Sequence, residues 1–276
     1  MHPRLAVAAT LAIVLAGLPS IAIAQATTQL RLSWDHCAAE GYVADRAFAC
    51  DSNTGEEVLF ASVVFGDDVP WDWLGGFESF LDITTTASTL PPWWELGSGL
   101  YCRTNGVLAG LDSLAVSSAC VPWYWADGDL SRLALSVLTF EYGYDGPGSV
   151  RAHFMAAVPA GAEVSIPAGQ HEYTFARFRL KHSKATGAGS CAGCLVPACM
   201  GFGLVKLVYT PPMASYVALG TPASTVTWQG AYVSSYQPTP PWMDYAFHPY
   251  RGNLRCATGP VPAQGRTWGM IKTMYR

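Results

Sequence analysis

Four Pro-stiffened segments place indole rings beside carboxylates, a pairing able to hold a sugar. They are Pro70-Trp71-Asp72-Trp73, Pro91-Pro92-Trp93-Trp94-Glu95, Pro122-Trp123-Tyr124-Trp125-Ala126-Asp127 and Pro240-Pro241-Trp242-Met243-Asp244. Sugar rings stack apolar C–H faces on flat aromatics, and carboxylates accept their hydroxyl protons. The candidate glycan contacts are Trp71, Trp73, Trp93, Trp94, Glu95, Trp123, Tyr124, Trp125 and Asp127. The competing reading is that each Pro–Trp turn packs a loop onto the protein body. Catalytic patterns are thin: there is no Gly-x-Ser-x-Gly, no His-Glu-x-x-His and no phosphate-cradling loop. Glu78, Asp82 and Glu95 are the acids available for a glycosidase pair. His171-Glu172 reads as a surface pair on a strand. Asp67, Asp68, Asp72, Asp127 and Asp129 offer oxygen ligands for a structural calcium ion, outside any EF-hand spacing. No other cofactor is expected, and no transition-metal site.

The eight cysteines read first as four disulfides: Cys37, Cys50, Cys102, Cys120, Cys191, Cys194, Cys199 and Cys256. Spacing suggests local bridges, Cys37 with Cys50 and Cys102 with Cys120, and a long one from Cys256 to the Cys191-Cys194-Cys199 cluster. Zinc would need a second Cys-x-x-Cys. Haem attachment would need His where Leu195 stands, and a redox motif would need a βαβ context. Disulfides presuppose an oxidising compartment, and the first residues supply the route. Arg4, the uncharged apolar run Leu5 to Leu18 and Ala22-Ile23-Ala24 have the layout of a signal peptide over 1–24, too short for a comfortable membrane span. The expected localisation is secreted or extracytoplasmic.

Composition then bounds the elements. Half the residues are hydrophobic and only 13% charged, so a large core is available and long solvated helices are not. The net charge is −4 and no basic run exists, which argues against nucleic acid as partner; no further apolar stretch approaches a membrane span. Period-two alternation recurs: Leu30, Leu32, Trp34; then Glu57 to Phe65, Phe77 to Thr86, Leu133 to Tyr144, Val150 to Val158, Gln170 to His182, Gly203 to Thr210 and Ser224 to Gln229, with Gly, Pro and Asn clusters between. This predicts an all-β, antiparallel β-sandwich over 25–234. Residues 235–276 read as a C-terminal wrap on the same domain. It ends in a short helix over Thr267 to Arg276, where Trp268, Ile271 and Tyr275 form one stripe.

The run from Glu57 to Leu96, followed by Ile166 to Gly189, resembles the strand order of cohesin-type, jelly-roll-like and carbohydrate-binding β-sandwiches. The Cys191-Ala-Gly-Cys194 cluster and the Thr267-Trp-Gly-Met-Ile-Lys-Thr-Met-Tyr-Arg276 tail are similar to those of uncharacterised secreted bacterial β-sandwich proteins. The resemblance implies a fold rather than an activity, and no dockerin-recognition residue can be matched. The expectation is a secreted, non-catalytic binding or structural protein whose partner is an extracellular protein or a polysaccharide. A carbohydrate-binding module is the alternative, and a glycan-active hydrolase ranks third.

Overall fold

The structure, a computed structural model, describes residues 27–66, 72–97, 101–111, 119–167, 171–210, 216–219, 224–237 and 253–258. Its strands are β1 (Gln29–Trp34), β2 (Asp45–Arg46), β3 (Glu56–Val64), β4 (Leu74–Thr85), β5 (Val107–Gly110), β6 (Cys120–Pro122), β7 (Leu135–Tyr142), β8 (Ser149–Ala157), β9 (Glu172–Lys181), β10 (Ala198–Tyr209), β11 (Tyr216–Leu219), β12 (Thr225–Trp228), β13 (Tyr232–Gln237) and β14 (Asn253–Ala257). The signal-peptide segment 1–24 and the expected helix over 267–276 lie outside the described residues. Among the described residues no helix is long and apolar enough to cross a membrane.

The chain forms an all-β sandwich. The first sheet has the order β1-β3-β9-β5, with β6 running parallel to β9. The second has the order β2-β12-β10-β4-β8-β7, with β11 also on β10. Pairing is antiparallel except at β6–β9 and β2–β12. Alternation turns one row of each strand inward: Leu30, Leu32 and Trp34 of β1 are fully buried, whereas Arg31 between them reaches solvent.

Aromatic rings fill the space between the layers. Phe77 of β4 stacks on Phe175 of β9 with centroids 5.0 Å apart. Phe202 of β10 packs on Phe175 at 5.4 Å, and Phe154 of β8 meets Phe178 edge-on at 5.7 Å. Each such ring contributes about 1.5–3 kcal/mol by leaving water, and favourable pair geometry adds about 1 kcal/mol.

The outer face of the second sheet is half covered. The hairpin β13–β14 lies along β10, fastened by Cys199–Cys256. At Gly201 a Cβ would press on the Thr225 side chain at 3.2 Å, with Leu254 and the Tyr236 ring of the hairpin in ordinary contact at 3.5 Å. The expected 234–235 boundary falls inside β13. Beneath the hairpin, Asp82 and Arg151 face each other in register across β4 and β8.

All eight cysteines pair, but not locally. The bridges are Cys37–Cys120, Cys50–Cys194, Cys102–Cys191 and Cys199–Cys256. The expected Cys37–Cys50 and Cys102–Cys120 pairs do not form, because sheet pairing, not chain proximity, decides which sulfurs meet. Cys256 does cross to the cluster as expected. Four disulfides point to an oxidising compartment.

Candidate functional site: the cleft between two sheet edges

The expected aromatic platform is mostly core. Pro92–Trp94 and Trp123–Trp125 are single 3₁₀ turns that tuck their rings inward, leaving Trp93, Trp94 and Trp123 with no exposed surface and Tyr124 with 5%. Trp94 meets Trp228 edge-on at 5.9 Å, and Trp123 meets Phe77 at 5.0 Å. Tyr124 donates its hydroxyl to the Leu111 carbonyl at 2.6 Å. These turns close the ends of the sandwich, where burying an indole outweighs showing it to a ligand. Glu95 ends its turn half-buried, and Trp125, also half-buried, donates its indole N–H to the Arg132 carbonyl.

Trp93 lies under a buried cation. The Arg103 guanidinium carbon is 3.3 Å from its ring centroid, and Arg103 donates to the carbonyls of Trp93, Gly106 and Lys181. Burial pulls the Arg103 pKa down to about 9.

Trp71 lies outside the described residues. Trp73 is the exception among the expected contacts, 56% exposed with φ +68°. The left-handed conformation costs a bulky residue about 1–2 kcal/mol. Trp73→Gly is therefore expected to be as stable as the parent or up to about 1 kcal/mol more stable, part of the relief being lost to glycine's entropy. Urea denaturation checks this, and a clear loss of stability would show that the ring is packed.

The acids are already neutralised. Asp127 and Asp129 both pair with Arg132, at 2.6 and 3.8 Å. The Arg132 bond holds the Asp127 carboxyl below its usual range, and the Ser131 hydroxyl does the same for Asp129. The place expected for calcium is thus taken by a guanidinium; Asp72 is exposed, and Asp67 and Asp68 lie outside the described residues. Glu78 binds His153 at 3.1 Å and Lys206 at 3.8 Å, and chiefly the His153 bond keeps its pKa low. Asp82 is chelated by Arg151 at 2.6 and 3.1 Å. Four residues apart on one strand, Glu78 and Asp82 stand about 13 Å from each other, beyond the separation glycosidases use.

Glu172 is not on the surface as expected. It begins β9, in the same sheet as β1 with β3 between them, and is buried where Ser62 (2.5 Å) and the Ala38 N–H (2.9 Å) donate to one oxygen and Arg31 (2.9 Å) to the other. Its carboxylate comes close to Cys37 and Cys120, but the disulfide consumes both sulfurs and leaves no thiolate to bind a metal.

What sequence reasoning missed lies at the open side of the sandwich. The edge strands β5 and β7, one from each sheet, flank a cleft of about 450 Å³ lined by Tyr101, Asn105, Leu108, Thr139, Phe140 and Tyr142 among others. Tyr101 rests on Tyr142 with ring centroids 4.7 Å apart and planes 31° apart. The Gly97 N–H donates to the Tyr142 hydroxyl at 2.7 Å, and a Cβ on Gly97 would stand 3.2 Å from the Tyr101 ring. Burial raises the Tyr142 pKa, so its hydroxyl keeps its proton and can donate it. No lining side chain is charged. A second groove of about 410 Å³ runs along the outer face of the second sheet, past Leu135, Val137 and Met155. Its one ionisable lining group is Glu78, already paired. No protein-family model, curated protein or solved structure matches the chain, so its function is argued from these surfaces alone.

Proposed function

We propose that the protein is exported and acts outside the cytoplasm as a non-catalytic binding protein, with the β5/β7 cleft as its recognition site. The Leu5 to Leu18 run, the Ala22-Ile23-Ala24 step and the four disulfides support export. The observation that carries the binding reading is the cleft itself. It is a concave, uncharged site of ligand size whose aromatic pair is already in place, on a scaffold cross-linked enough to hold it still. Catalysis draws no comparable support: of the candidate acids Glu78, Asp82 and Glu95 the first two are held by basic partners, which leaves Glu95 without the second free carboxylate a glycosidase pair requires.

Asn105 is exposed at the cleft and belongs to no strand, so Asn105→Arg should put a bulky charged side chain into the cleft without disturbing the core. Parent and variant are to be compared on an array carrying both glycans and peptides. Ligands retained by the parent should be lost by Asn105→Arg, with a melting temperature within a few degrees of the parent's. Hits indifferent to the substitution would place recognition elsewhere.

A further inference from the structure

We infer that the cleft takes an uncharged saccharide, with the Tyr101–Tyr142 pair as its stacking shelf; this rests on the cleft being the recognition site. Three observations carry it. The first is the shelf. Tyr101 is 38% exposed with one face against Tyr142, so ring surface remains for a ligand, and the Gly97 bond holds the lower ring in position. A stiff aromatic pair offers the apolar face that a pyranose needs at little ordering cost.

The second is the supply of hydrogen bonds. β5 pairs only with β9, and β7 only with β8. Alternate N–H and C=O groups of each strand therefore point away from the partner strand, into the gap. Asn105 adds an exposed side-chain amide with no hydrogen-bond partner among the described residues, and Tyr142 adds a phenolic donor. Mixed donors and acceptors beside an aromatic face suit a ligand carrying many hydroxyls. The absence of charged lining residues disfavours uronic acids, phosphates and charged peptides, whose charges would be desolvated without a partner.

The third is width. Exposed strand edges ordinarily invite an added peptide strand. Here Cα atoms of β5 and β7 approach within 8 Å. A strand bonded to both edges needs about 9.5 Å, twice the interstrand spacing. The gap is too narrow for that mode, whereas a sugar ring can sit on the shelf at its mouth.

The test is calorimetric titration of the full exported chain with hexasaccharides of β-1,4-linked glucose, xylose and N-acetylglucosamine, each up to 10 mM. One of them should bind saturably. Tyr101→Ala should weaken it at least tenfold, Tyr101→Trp should retain it, and melting temperatures should stay near the parent's. Should Tyr101→Ala fail to fold, Asn105→Gly replaces it: Asn105 sits at φ +56°, a conformation glycine adopts freely, and loss of its amide should weaken binding several-fold. Peptide ligands sensitive to Asn105→Arg, together with no saccharide binding, would overturn the saccharide and keep the cleft. Saccharide binding unchanged by both Tyr101→Ala and Asn105→Arg would overturn the cleft assignment, and no binding of any probe would overturn both.

Discussion

Asp82→Ala is expected to lower the unfolding free energy by about 3–5 kcal/mol, the cost of leaving a buried charge without its partner. Asp82 has no exposed surface and Arg151 has 3%. The guanidinium is further enclosed by Tyr144, 4.2 Å from its ring centroid, and Phe80, at 5.2 Å. Water cannot reach Arg151 to replace the carboxylate while the β13–β14 hairpin stays in place. Since a domain's whole stability is about 5–15 kcal/mol, the single substitution should remove a large part of it. The double variant Asp82→Leu/Arg151→Met should recover most of that loss, because a hydrophobic pair of similar volume carries no desolvation cost. Urea denaturation of the parent, Asp82→Leu, Arg151→Met and the double variant measures the coupling, with Asp82→Ala alongside. A loss below about 1 kcal/mol for Asp82→Ala would mean that solvent enters beneath the hairpin.

Removing the Cys50–Cys194 bridge, by Cys50→Ser with Cys194→Ser, should cost about as much or more. The cross-linked residues are 144 apart in sequence, the largest separation of the four bridges. In the chain-entropy account a loop of that length stabilises by about 5 kcal/mol, against about 4 kcal/mol for Cys199–Cys256, whose residues are 57 apart. The variant should melt well below the parent, and reduction of the parent with a thiol should reproduce and exceed the shift. A change under about 1 kcal/mol would show that the unfolded chain is already held compact by the remaining bridges.

Strands with one wet face were legible in the sequence, because alternation survives wherever a single face is buried. β1, β3, β8 and β9 fall close to where the pattern puts them. β10 is longer than the pattern suggests: Ala198–Phe202 is buried on both faces, inward against the core and outward beneath the hairpin, so no polar residue marks the period. β5 and β6 are too short to show one.

The Pro–Trp turns were visible, but their burial was not. Whether an indole faces water depends on the sheet end it closes, and that end is assembled from distant strands. The same limit explains the bridges, where Cys37, in the turn after β1, meets Cys120 of β6. Glu172 looks like a surface acid until Arg31, Ser62 and the Ala38 N–H gather around it. The cleft was the least legible feature. Tyr101 and Tyr142 belong to separate segments and meet only because the two sheets bring their edges together.

The interlocked cross-links also determine what a protease can accomplish. Cys37–Cys120, Cys50–Cys194 and Cys102–Cys191 overlap in sequence, so any single cut between Cys37 and Cys194 leaves both fragments covalently joined. Cys199–Cys256 secures the following stretch in the same way. Between Cys37 and Cys256 only the link from Cys194 to Cys199 is spanned by no disulfide, and Leu195 within it is 64% exposed. Scission there would leave two separately cross-linked pieces associated solely through strand pairing and the shared core. Under proteolysis the stretch from Cys37 to Cys256 thus concentrates its covalent vulnerability in one short turn and can be nicked elsewhere without coming apart.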